Sequence, residues 1–249
     1  MSLVALALIP YLTANQFNQQ SQFSQNNEYW SYRDGNWNIH GILVKPKGPG
    51  PFPAIIVSHG KGSTAETFAR SKADEFLKWG MVTIAVDYTH SLTGSEADSD
   101  GYSKENLRRA MKCLAILRDQ PYVDGNRIAA YGNSMGAFLT IGLAAESKAN
   151  LKAAIITAGG LSAKPGYPAP TSDIAEKIKV PMLILHGETD PVVPAERSER
   201  LKIILDKNKV ANERKVYPGE AHNINRTQEA DVFAQIRAWL VKYKVLSSS

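Results

Sequence analysis

The sequence predicts an α/β protein built on a mostly parallel sheet, and three observations lead there. Apolar runs at 53–58, 81–86, 153–157 and 182–185 lack the polar alternation of a half-exposed sheet and read as strands covered on both faces. They alternate with longer amphipathic stretches, the pattern of repeated βαβ units. A chain of 249 residues suffices for one sizeable domain of this kind and leaves little for a second.

The elements follow in order. Residues 29–33 and 37–44 read as an opening antiparallel pair joined around Asp34-Gly35. After the strand at 53–58, Ser63 and Glu66 have capping-box spacing, and the helix they open carries Phe68, Phe76, Leu77 and Trp79 before Gly80 stops it. The strand at 81–86 leads into a polar loop, 89–101, then a helix through Leu107, Met111, Leu114 and Leu117. A strand at 128–131 precedes a helix rich in small residues at 135–145. Beyond the strand at 153–157, residues 159–172 form a Gly/Pro-rich loop. Strands at 182–185 and 214–217 complete the sheet, and Val232, Phe233, Ile236, Trp239 and Leu240 mark one face of a closing helix.

The N-terminal stretch, 1–28, stands apart from a single domain at 29–249. Residues 3–12 are apolar and 15–20 are rich in Asn and Gln. The run resembles the core of a secretory leader and is too short to span a bilayer. The first Lys or Arg is Arg33, which favours instead an arm packed on the domain. Cytoplasmic and exported locations both stay open.

Composition excludes several classes of function. The chain is 43% hydrophobic and 21% charged, with a net charge of +5. No basic run exceeds the pairs Arg108-Arg109 and Arg214-Lys215, so no nucleic-acid partner is expected. The single cysteine, Cys113, allows no internal disulfide and falls on the apolar face of a helix. Histidines at 40, 59, 90, 186 and 222 lack metal-ligand spacing, and Gly60-Lys61-Gly62-Ser63 lacks that of a phosphate loop, so no metal or cofactor is expected.

The sharpest chemical signal is Tyr131-Gly132-Asn133-Ser134-Met135-Gly136, between a buried strand and a helix. A nucleophile on so tight a turn needs glycine two residues to either side, and the following helix presents its positive end. A serine hydroxyl is a weak nucleophile without a base, and the base needs an orienting carboxylate. Downstream of Ser134 stand two histidines. His186 ends a buried strand and reads as structural, whereas His222, in the turn-rich Tyr217-Pro218-Gly219-Glu220-Ala221-His222, reads as the base. Asp190, in a loop stiffened by Pro191 and Pro194, is preferred as the acid over Glu188, with Asp173 and Glu220 as remoter options. The oxyanion donors are expected to be the backbone N–H groups of Met135 and Lys61. His59 comes too early in the chain for the base and is read as structural. Tyr88, His90, Val192 and Asn223 are candidate substrate-pocket residues, His90 being equally readable as a solvated loop residue.

These motifs resemble the α/β-hydrolase superfamily, and within it the dienelactone-hydrolase-like branch, which is similar to the catalytic domains of prolyl-oligopeptidase-type peptidases. The carrying residues are His59-Gly60, Val123-Asp124-Gly125-Asn126-Arg127-Ile128 leading into Gly132-Asn133-Ser134-Met135-Gly136, then His186-Gly187-Glu188-Thr189-Asp190-Pro191-Val192-Val193-Pro194 and Gly219-Glu220-Ala221-His222. The resemblance implies a mostly parallel eight-stranded sheet and a triad of Ser134, Asp190 and His222. It departs from the branch in two places. True dienelactone hydrolases use cysteine where this chain has Ser134, which points to carboxylic ester substrates. Many relatives carry a second glycine where this chain has Ala137. A small-molecule ester hydrolase without a lid domain is therefore expected, with an exopeptidase or amidase as the alternative and a non-catalytic binding protein behind both.

Overall fold

Segments that are apolar on both sides must be covered on both sides, and here they form the middle of one sheet. The computed structural model describes residues 23–34, 37–91, 101–162 and 167–248. The expectations for 3–12, 15–20 and Gly35, and for the loop stretches 92–100 and 163–166, lie outside them. The strands are β1 (Phe23–Asn26), β2 (Tyr29–Asp34), β3 (Trp37–Val44), β4 (Phe52–Ser58), β5 (Val82–Val86), β6 (Val123–Asn133), β7 (Ala153–Thr157), β8 (Met182–Gly187) and β9 (Asn212–Tyr217). The helices are α1 (Arg70–Lys78), α2 (Lys104–Arg118), α3 (Met135–Ala145), α4 (Ser172–Ala175), α5 (Glu196–Lys207), α6 (Ile224–Thr227) and α7 (Glu229–Lys242).

The sheet order is β1-β2-β3-β5-β4-β6-β7-β8-β9. The first three strands pair antiparallel, β3 pairs antiparallel with β5, and every later pairing is parallel. Among the described residues the sheet has nine strands where eight were expected. The extra one, β1, lies within the stretch read as a separate N-terminal segment. Its residues Phe-Ser-Gln-Asn are largely exposed and carry no apolar alternation, so its strand form comes from pairing with β2 rather than from its own pattern.

Alternation along the central strands divides the core. Ile55, Val57, Ala129, Tyr131, Ile155 and Leu185 point to one face and pack under Phe76 of α1 and Ile236, Trp239 and Leu240 of α7. Ala54, Ile56, Ile128 and Ala130 point to the other, against Cys113, Leu114 and Leu117 of α2. Ile156 and Ile184 continue that second face under Ile141 of α3 and Leu201 of α5.

Two local expectations shift. The cap of the first helical segment is Thr64, whose hydroxyl accepts from Thr67 N–H while Thr67 Oγ1 accepts from Thr64 N–H, so the box sits one residue beyond Ser63 and closes on Thr67 rather than Glu66. A π-helical turn, Ala65–Ala69, then runs into α1. Strand β6 begins at Val123, upstream of the expected 128–131, because Val123 pairs with Phe52 across a register shift.

Candidate active site

Parallel strands of matched register deliver their carboxyl ends to one edge of the sheet. Ser58 lies beside Gly132, Asn133 beside Thr157, Thr157 beside Leu185, and Gly187 beside Tyr217. Ser134 follows β6 at this edge, Asp190 follows β8 and His222 follows β9.

Ser134 stands on the turn between β6 and α3 with φ 55° and ψ −118°, backbone that a non-glycine residue rarely adopts. Its N–H donates to Thr157 O at 3.0 Å and its carbonyl accepts from Ala137 N–H at 3.0 Å, which hold the turn in place. The flanking glycines are required by space. A Cβ on Gly132 would lie 2.2 Å from Gly136 O, and one on Gly136 would lie 2.0 Å from Ser58 O. Ala137 finds its room in Gly159, where an added Cβ would come within 2.3 Å of the Ala137 methyl.

Ser134, His222 and Asp190 form a hydrogen-bonded chain. His222 Nδ1 lies 2.7 Å from Asp190 Oδ2, and a carboxylate oxygen only accepts, so Nδ1 carries the proton. Nε2 is left to accept from Ser134 Oγ–H at 3.0 Å. Asp190 is buried. Its Oδ1 accepts from Val192 and Val193 N–H, both at 2.9 Å, and His186 Nε2 lies 3.2 Å from its Oδ2. Burial acts to raise the Asp190 pKa, but the hydrogen bonds from His186, His222, Val193 and Val192 together outweigh it and hold the carboxyl well below its usual range. The residue is therefore a carboxylate at any ordinary pH.

The loops that carry Asp190 and His222 are laced together. Glu188 Oε2 accepts from Gly219 N–H at 2.9 Å, and Thr189 N–H donates to Glu220 O at 2.9 Å. Gly187 lets the base loop approach, since a Cβ there would lie 2.2 Å from Ala221 O. Glu188, the competing candidate for the acid, thus braces the His222 loop. Glu220 accepts from Thr227 Oγ1 and Gln228 Nε2, both at 2.6 Å, and Asp173 accepts from Thr171 Oγ1.

The loop carrying Lys61 passes over Ser134. A Cβ on Gly60 would lie 3.2 Å from Ser134 Cβ, so the backbone there runs against the serine. Met135, the first residue of α3, presents its N–H at a helix start, where such groups have no partner within the helix. His59 shapes this loop from within: Nδ1–H donates to Gly60 O at 2.9 Å and Nε2 accepts from Tyr88 N–H at 3.2 Å.

Two pocket candidates move inward. Tyr88 is fully buried, with its hydroxyl 2.8 Å from Ser58 Oγ, and burial pushes its phenol pKa up. His90 is buried too, and its Nε2–H donates to His59 O at 3.1 Å. The two rings stack on each other and both pack on His59, so they back the Gly60-Lys61 loop. Val192, 56% exposed beside Asp190, and Asn223, bordering a cavity of about 470 Å³ with Phe68, Lys72 and Asn133, stay at the surface.

His186, expected to be structural, is buried and hydrogen-bonded: its Nε2 lies 3.2 Å from Asp190 Oδ2 and donates to Val193 O at 2.8 Å. Asn225 was not singled out, although it bonds side chains on β6 and β7. Among the described residues no group of three His, Cys, Asp or Glu could hold a metal ion, and no helix is long and apolar enough to cross a membrane.

A mostly parallel sheet with helices on both faces and a serine on a strand–turn–helix elbow defines an α/β-hydrolase. The chain belongs to the dienelactone hydrolase family, whose profile matches residues 39–248. It is similar to the esterase EstD of Thermotoga maritima, 29% identical over 48% of this chain and 31% of that protein. It is also similar to the uncharacterized peptidase YtmA of Bacillus subtilis, 22% identical over 84% of this chain and 91% of that one. The solved structure of an esterase from Thermogutta terrifontis superposes with a TM-score of 0.71 at 20% identity, covering 86% of this chain and 91% of that chain. The chain spans only 31–39% of the length of the first curated relatives it matches.

Proposed function

We propose that this protein is a serine hydrolase that cleaves carboxylic esters of small molecules through an acyl-enzyme on Ser134. The observation that carries the reading is the hydrogen-bonded chain from Ser134 Oγ through His222 to a buried, ionised Asp190, at 3.0 and 2.7 Å. Its order along the sheet edge is the one acyl transfer needs.

In this mechanism Ser134 Oγ attacks the ester carbonyl as its proton passes to His222 Nε2. The imidazolium that forms is stabilised by Asp190, which keeps Nδ1 protonated and the ring in one orientation. The oxyanion is met by the N–H groups of Met135 and Lys61. His222 returns the proton to the departing alkoxide, and the alcohol leaves. A water then gives its proton to the same nitrogen and attacks the acyl-enzyme, releasing the acid and restoring Ser134.

The peptidase-named relative that aligns over most of both chains supports a second reading, an exopeptidase or amidase using the same residues. Turnover of p-nitrophenyl acetate and butyrate against an aminoacyl p-nitroanilide separates the two. For Ser134→Ala, kcat on the preferred substrate should fall by about 10⁵–10⁶ with the fold intact. Equal turnover by wild type and variant would end the reading.

A further inference from the structure

The base loop is attached to the sheet by more than its backbone. Three residues beyond His222, in the single turn α6, Asn225 reaches back under the catalytic edge. Its Nδ2 donates to Asn133 Oδ1 at 2.6 Å and to Thr157 Oγ1 at 3.0 Å, and its Oδ1 accepts from Tyr131 Oη–H at 2.7 Å. Thr157 Oγ1–H closes the ring by donating to Asn133 Oδ1 at 3.0 Å. Tyr131 and Thr157 are fully buried, and Lys72 Nζ, paired with Glu229 at 2.8 Å, donates at 3.5 Å to the Asn225 carbonyl.

Each partner bears on the nucleophile. Asn133 immediately precedes Ser134, Tyr131 lies two residues further back on β6, and the Thr157 carbonyl accepts the Ser134 N–H at 3.0 Å. The amide of Asn225 thus links the segment that carries the base to both strands that hold the serine. Only an amide fits: it must donate to two oxygens and accept from a phenol at once. A carboxylate would set two acceptors against each other at Asn133, and a methyl would leave buried polar groups without partners.

We propose that Asn225 is a positioning residue of the acyl-transfer site, fixing the separation between His222 Nε2 and Ser134 Oγ through its ring of hydrogen bonds with Asn133, Thr157 and Tyr131. Its amide is taken up by Asn133, Thr157 and Tyr131. The residue acts through Ser134 and His222, and the inference rests on the reading of these two as nucleophile and base.

The test compares wild type, Asn225→Ala, the isosteric Asn225→Asp, Asn133→Ala and the double variant Asn133→Ala/Asn225→Ala. Four quantities are read: kcat and KM on p-nitrophenyl acetate, the rate at which a p-nitrophenyl alkylphosphonate labels Ser134, and the melting temperature. Asn225→Ala and Asn225→Asp should each lower kcat and the labelling rate by about a hundredfold, with KM within about twofold, the size of effect expected when a reacting pair is misplaced. Because Asn133 and Asn225 act as one unit, the double variant should be about as slow as Asn225→Ala alone.

The inference is overturned if wild type hydrolyses esters and folded Asn225→Asp keeps kcat and labelling within twofold. It is overturned equally if the loss falls in KM alone, or if the two alanine losses multiply. Should Asn225→Ala fail to fold, the aspartate variant carries the same comparison. A wild type that neither hydrolyses esters nor takes the phosphonate label defeats the hydrolase reading, and this inference falls with it by a visibly different result.

Discussion

Acidification should weaken this protein through a histidine outside the Ser134–His222–Asp190 chain. His59 is buried, and its neutral tautomer is fixed on both nitrogens: Nδ1–H donates to Gly60 O and Nε2 accepts from Tyr88 N–H. A second proton would have to enter at Nε2, against the Tyr88 N–H. Asp87 Oδ1, 3.9 Å from that nitrogen, lies beyond hydrogen-bond range and already accepts from Ala65 N–H at 2.6 Å. Burial lowers the His59 pKa from 6.5 to about 4, outweighing the opposite pull of the Gly60 carbonyl. As pH falls through 6.5 the unfolded chain takes up a proton that the folded chain refuses until about 4. The contribution is therefore complete above the unfolded value and is lost as pH falls across that window. The loss amounts to about 2 kcal/mol near pH 5 and about 3 kcal/mol by pH 4. Urea unfolding of wild type and His59→Gln at pH about 7 and about 5 isolates the effect. Other groups act in both proteins, so wild type should lose about 2 kcal/mol more than the variant between the two conditions. Equal losses would refute the reasoning.

Other consequences are as direct. Asp190→Asn sets an amide N–H against His222 Nδ1–H and forces the ring into the wrong tautomer, so kcat should fall about 10⁴-fold while KM and the circular dichroism spectrum hold. Gly136→Ala drives a methyl to 2.0 Å from the Ser58 carbonyl, and the overpacking should cost about 3 kcal/mol, read as a fall in Tm of about 6–12 °C together with loss of esterase activity. Ile236→Ala, at a fully buried position of α7 far from the reacting atoms, should cost about 2–5 kcal/mol in urea unfolding and leave kcat of the folded fraction unchanged.

Much of this was legible because the signals were local. Apolar runs announced β4, β5, β7 and β8, and all four are buried along nearly their whole length. The elbow was legible because glycines at 132 and 136 follow from contacts that only a tight turn creates. What stayed hidden depends on partners far along the chain. β1 is a polar strand made by its neighbour, and the start of β6, Val123-Asp124-Gly125-Asn126, reads as a turn until Phe52 pairs with it. Tyr88 and His90 look like loop residues, yet the folded chain buries them among His59, Ser58 and Asn106. Asn225 carries no motif at all, since its meaning lies in three side chains that converge on it from β6 and β7.

The positions of β6 and β9 in the sheet have a consequence for how the protein fails. Ser134 grows from the middle of the sheet, between neighbours on both sides, and leads into a helix whose residues from Gly136 to Ala144 are all buried. His222 hangs from β9, the border strand, which among the described residues has a neighbour on one side only. Borders loosen at lower energy than centres. Warming should therefore detach the proton acceptor while the serine keeps its place, leaving a well-folded protein that is chemically silent and that recovers on cooling. Durability of catalysis here is a property of one outer seam, and reinforcing that seam would extend working life more than any further filling of the interior.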